Sequence, residues 1–135
     1  MAGKGTYILR GDQKFNTFRS KTFNIDNGSG TTDDDVLFAD LDFDIEILAI
    51  DAVYVEATDT TGAAAATIAL GTTAGGVDVV AAVALTAAKA VGASQALTLV
   101  TTRLAAGTDL FARHTGIAST EAGQYYLQVQ YRIFP

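Results

Sequence analysis

An all-β fold of about eight or nine short strands, a sandwich or a barrel, follows from three features of this 135-residue sequence. Apolar and polar residues alternate strictly in two stretches, short runs rich in β-branched and aromatic residues recur, and glycine-containing turns separate them. At this length one domain is expected, able to bury roughly two-thirds of the surface its unfolded chain exposes.

In chain order, "TYILR" (6–10) and "KFNTFRSKTFNI" (14–25) read as strands. Across 40–47, Asp40, Asp42, Asp44 and Glu46 alternate with Leu41, Phe43, Ile45 and Ile47, which predicts a strand with one wet and one buried face. The phase is lost in "LAIDAVYVEAT" (48–58), where a bulge or a bend between sheets would reset it. Shorter strands are expected at "ATIALG" (66–71), "ALTLVTT" (96–102) and "DLFARH" (109–114). Residues 81–94, "AAVALTAAKAVGAS", are rich enough in alanine for a short helix ending at Gly92. The same residues also suit a strand and loop whose small side chains allow close approach of other protein. In "YYLQVQYRIF" (125–134), Tyr125, Leu127, Val129, Tyr131 and Ile133 share one parity and should face the core. Asn27-Gly28 with Ser29-Gly30, Thr61-Gly62, Thr73 to Gly76, Ala106-Gly107 and Ala122-Gly123 mark the turns.

The net charge of −6 is distributed unevenly. Residues 1–22 are net +4, residues 23–60 hold eleven acids and no base, and the remainder is nearly balanced. This divides the chain into a basic N-terminal arm, 1–22, and a β-sandwich domain, 23–135. Tyr7, Ile8, Leu9, Phe15 and Phe18 make the arm too apolar for a simple solvated tail, so it should dock on its own body, a sister subunit or another protein. The candidate contact residues are Lys4, Arg10, Lys14, Phe15, Phe18, Arg19 and Lys21; the candidate acidic partner face is Asp33, Asp34, Asp35, Asp40, Asp42, Asp44 and Glu46. The acidic balance argues against nucleic acid, whose phosphates require basic surface. No run of 18 apolar residues suggests a membrane span, and no signal-peptide pattern is seen at the N-terminus.

Catalytic and metal chemistry find little support. Cysteine is absent and His114 is the single histidine, which excludes thiolate sites and His-rich zinc sites. An EF-hand read from Asp40 fails at position six (Ile45) and position twelve (Asp51). Asp33 to Asp35 could offer oxygens from a loop, but adjacent acids are commonly a solubilising turn. Two carboxylates among so many are no signature of a glycosidase, and tryptophan, the usual sugar platform, is missing. Gly28-Ser29-Gly30 has Asp33 where a dinucleotide loop needs its third glycine, and no Gly-x-Ser-x-Gly elbow occurs. His114 reads as a strand-end or edge residue. The expectation is a protein without catalytic residues, metal or cofactor.

Four stretches carry a family resemblance. "FNIDNGSGTTDDDVLFADLDFDIEILAIDAVYVEAT", and then "GAAAATIALGTTAGGVDVVAAVAL", "RLAAGTDLFAR" and "AGQYYLQVQYRIF", resemble the head decoration (cement) proteins of tailed bacteriophages, over roughly residues 20–135. The resemblance implies a jelly-roll-like β-sandwich, often a homotrimer. It implies a structural virion protein, made in the host cytoplasm and bound to the outer capsid surface, where it stabilises contacts between major capsid protein subunits. No motif in it transfers particular contacts to particular residues. The alternative is a carbohydrate- or cell-surface-binding β-module of a phage fibre or adhesin, for which Tyr54, Tyr125 and Tyr126 are the candidate platform.

Overall fold

The computed structural model describes residues 15–26, 28, 30–58, 66–86, 89–117 and 123–134. Among these residues there is no helix, and nine strands form two antiparallel sheets packed as a sandwich. The strands are β1 (Asn16–Asn24), β2 (Thr32–Phe38), β3 (Asp44–Glu56), β4 (Thr67–Gly71), β5 (Val80–Ala84), β6 (Ser94–Leu97), β7 (Arg103–Leu104), β8 (Leu110–Thr115) and β9 (Gln124–Phe134). One sheet runs β1-β9-β3-β6, with β7 also pairing β3, and the other runs β2-β8-β4-β5.

The C-terminal strand behaves as its alternation requires. β9 lies between β1 and β3, so both of its edges are paired. Tyr125, Leu127 and Val129 are fully buried, and Tyr131 and Ile133 pack against the core partly covered. The opposite parity, Tyr126, Gln128 and Gln130, forms the half-buried outer face. The phase change anticipated after Ile47 is a register shift in the β3–β9 ladder between Ile47 and Ala49. Ile45 and Ile47 are buried before it, Ile50, Ala52 and Tyr54 after it, and Leu48 is left outside. The extra residue is what lets a 13-residue strand keep one face inward while it twists.

Three expectations are corrected. Residues 40–43 are not strand: Asp40 adopts a left-handed φ of 51°, and its N–H bonds to Asp109 Oδ1. Leu41 exchanges backbone hydrogen bonds with Thr108 and Gly107. Here the chain crosses from the β2 sheet to the β3 sheet, so Phe43 is 51% exposed rather than buried. Asp33 to Asp35 are not a turn but the middle of β2, held by β8. Of the two readings of the alanine-rich segment, strand and loop holds at its start: it begins in strand β5, where pairing with β4 overrides alanine's helical propensity. His114 is no edge residue; it lies inside β8, between β2 and β4, fully buried. The "TYILR" stretch lies outside the described residues.

The arm boundary also moves. Residues 16–22 belong to β1, paired with β9 from Asn16↔Tyr131 to Asn24↔Gln124. Phe18 packs at a tilt against Phe38 with ring centroids 5.2 Å apart, and Phe38 meets Tyr131 edge-on, so the strand is anchored into the core.

Replacing Leu127 or Val129 by Ala should cost about 2–4 kcal/mol in denaturant unfolding, because the cavity adds to the lost transfer energy. Gln128→Ala and Gln130→Ala, on the outer face, should cost under about 0.5 kcal/mol. Equal losses for the two sets would contradict this register.

Candidate binding surfaces

The sequence pairs a basic arm with an acidic face, and the structure brings several of those charges together within one chain. β1 carries a bulge: Arg19 opposes Gln128 and Thr22 opposes Tyr126, so Ser20 and Lys21 together face Leu127. Ser20 Oγ accepts the Leu127 N–H at 2.8 Å and mends the ladder. Lys21 is thereby re-aimed off the β9 edge. Its N–H donates to Asp35 Oδ2 at 3.0 Å and its Nζ donates to Asp33 Oδ1 at 2.5 Å. Lys21 thus closes the corner where the edge strands of the two sheets, β1 and β2, meet.

The aspartate triplet splits by strand parity. Asp33 and Asp35 turn to that corner, partly covered, while Asp34 lies on the exposed outer face. There Asp34 receives a two-point contact from Arg113, with Nε 2.7 Å from Oδ1 and Nη2 2.8 Å from Oδ2. These hydrogen bonds hold the Asp34 carboxyl below its ordinary pKa, and the reciprocal effect raises that of Arg113. The guanidinium also rests on Gly75, at φ 75°, where a Cβ would come within 2.5 Å of it. Arg113 therefore ties β2 to the 72–78 turn, in which Asp78 accepts from both Thr72 N and Thr72 Oγ1.

The remaining candidates are scattered. Glu46 pairs with Arg132, Asp44 accepts the Ala106 N–H, and Asp40 and Asp42 lie exposed in the 40–43 crossover. Arg19 stacks on Tyr126, 3.8 Å from the ring centroid. Phe15 is half exposed just before β1, whereas Lys4, Arg10 and Lys14 lie outside the described residues. Of the tyrosines suggested for a sugar platform, Tyr54 and Tyr125 are fully buried, and one face of Tyr126 is covered by Arg19.

A different surface, less visible from sequence, lies on the other side of the sandwich. β5 and β6 are the edges opposite β2 and β1, and a groove of about 260 Å³ runs between them. It is lined by Val80, Ala82, Val83, Ala96, Leu97 and Val100, among others, with no charged side chain. Gln95 bridges one end: its Oε1 accepts from Thr86 N and Tyr54 Oη, and its Nε2 donates to Ala84 O. Val91, Val100 and Val77, at 66, 63 and 53%, are the most exposed large apolar side chains of the described residues. All three fall in segments flanking β5 and β6. From 79 to 102 the sequence has one charged residue, Lys89, so the neutral side was legible as composition though not as a place.

Among the described residues no three acids or histidines are placed to hold a metal together. The split of the triplet explains this for its three members. Saturating calcium, or a chelator, should leave the melting temperature of the protein unchanged; a rise with calcium that chelation reverses would contradict the geometry.

No protein-family model, no curated protein and no solved structure matches this chain.

Proposed function

We propose that this protein is a structural assembly module, a decoration protein that binds the outer surface of a phage head and braces neighbouring major capsid protein subunits. The observation that carries the reading is the strand order. Sheets ordered β1-β9-β3-β6 and β2-β8-β4-β5 interleave the early and late strands as the nested Greek keys of a jelly roll do. This order supports the jelly-roll reading that the family resemblance implies, a fold common in viral shells. Fold alone does not assign function. The surfaces add a second support: one side of the sandwich is closed by internal ion pairs, and the other offers an uncharged apolar groove suited to protein contact.

In this reading Lys4, Arg10, Lys14 and the half-exposed Phe15 remain the arm that reaches the shell, while Phe18, Arg19 and Lys21 serve the sandwich itself. The protein needs no cofactor, acts as a homo-oligomer and touches neither nucleic acid nor membrane. The described residues hold no helix long and apolar enough to cross a membrane. The sugar-binding alternative loses ground, since two of its three aromatics are in the core.

The test is sedimentation of purified heads with the protein. Full-length protein should co-sediment, and a variant lacking residues 1–14, which spares β1, should stay folded and bind at least tenfold more weakly. High salt should weaken attachment of the full chain only in part, because apolar contacts persist when charges are screened. No binding of the intact protein to heads would overturn the proposal; equal binding by the truncated form would remove the arm from it.

A further inference from the structure

The single histidine occupies a position that none of the surfaces above uses. His114 is 0% exposed, held between Phe23 and Tyr125, with ring centroids at 5.9 and 5.5 Å. Its Nδ1 lies 2.7 Å from the Tyr125 hydroxyl, a hydrogen bond that joins the two sheets, since β8 and β9 belong to different ones. Its Nε2 is buried with no hydrogen-bond partner among the described residues. The Asn24 and Ile25 backbone lies near enough to favour a proton there, without meeting hydrogen-bond geometry.

Neither form of the ring is fully satisfied here, and the charged ring is the worse placed of the two. An imidazolium carries N–H on both nitrogens. One could donate to Tyr125 Oη, but the other would be a buried donor of a charged group without an acceptor, which is costly. Burial accordingly lowers the pKa of His114, and the nearby backbone and Asp33 only partly offset this.

The groups facing the ring decide what protonation would do. From β9 comes Tyr125, which packs in turn against Tyr54 of β3; both have pKa raised by burial and so are neutral throughout the acid range. β1 contributes Phe23, with Lys21 above it, and the partner on β4 is Ile68. The carboxylate nearest in the ladder is Asp33 of β2, the register partner of His114 and the ion partner of Lys21. Asp35, one step along the inward parity, holds the Lys21 N–H. Arg113, next to His114 on β8, turns outward to Asp34.

We propose that His114 is an acid-sensitive latch for the β1–β2 corner of the sandwich. On protonation the imidazolium competes with Lys21 for the Asp33 carboxylate. It can reach that carboxylate and water only if the corner closed by Lys21 opens. The β1–β2 side loosens first, while β4 and β5, on the far side of β8, keep their pairing. The sign follows from linkage: a histidine whose pKa is lower folded than unfolded stabilises the fold fully above the unfolded value, about 6.5. As pH falls below that, the folding equilibrium weakens by up to tenfold per pH unit until the folded value is passed. This device is independent of the capsid reading, and either can fail alone.

The test is a pH titration of the intact protein by NMR, from pH 8 to 4.5, where one histidine makes the imidazole signal unambiguous. Expected is a ring that stays neutral below pH 6.5. When it does protonate, amide signals of Lys21, Asp33 and Asp35 should broaden or shift before those of Ile68 and Val83. Lys21→Met, which weakens the closure, should move the opening to higher pH. His114→Phe should abolish the early β1–β2 change; if that variant does not fold, the Lys21→Met comparison decides. A ring that titrates near 6.5 with the corner intact would overturn the proposal. So would the same β1–β2 loosening in His114→Phe, or an unshifted opening in Lys21→Met.

Discussion

The structure depends on one strand that has no free edge. β9 pairs β1 on one side and β3 on the other, so the end of the chain fixes the register of two strands that lie far from it in sequence. Because its side chains alternate, that register also commits Tyr125, Leu127 and Val129 to the interior. Tyr125 then reaches across to His114 of the other sheet and stacks with Phe23, at 5.4 Å between centroids. The core is therefore a set of consequences of β9 pairing: move it by one residue and every inner side chain turns to solvent.

Charge follows from the same geometry. The acids of the first half of the chain fall on strand positions where parity decides their partners. Asp33 and Asp35 meet Lys21, Asp34 meets Arg113, and Glu46 meets Arg132. Exposed pairs of this kind stabilise little one at a time. Their larger effect is on shape, since they consume charges that a partner could otherwise have used, and the Lys21 and Arg113 pairs gather about β2. On the side without charge Val77, Val91 and Val100 stand out, the surface that the proposed assembly role would use. An assembly module needs such a division between a side that holds itself closed and a side open to others.

Much of the fold is legible in the sequence, and what is not legible has physical causes. β9 is legible because it is half buried along its length, which forces period two into the sequence. The phase change at Leu48 is legible because a bulge interrupts that period. β2 is not: as an edge strand it carries acids on both faces, and only Leu37 of its inner parity is apolar and buried. Asp40 to Phe43 mislead in the opposite sense, since alternation continues through a crossover in which no strand exists. β5 looked as much like helix as strand because alanine suits a helix and only the tertiary partner β4 chooses otherwise. His114 could have been found, for Leu110, Ala112 and His114 share one parity of β8 and all three are buried. Lys21 is legible as a basic contact for the acidic face, but its closure onto Asp33 and Asp35 of the same chain is not, because those contacts exist only through a bulge that nothing in the local sequence marks.

The most direct measurement of this account is native-state amide hydrogen exchange of the isolated protein, resolved by strand. Amides of β9 and of the β3 residues paired to it should be the last to exchange, opening only with global unfolding, while β5 and β6 exchange earlier. If β9 exchanged as fast as the edge strand β5, the claim that its double pairing holds the sandwich together would be wrong.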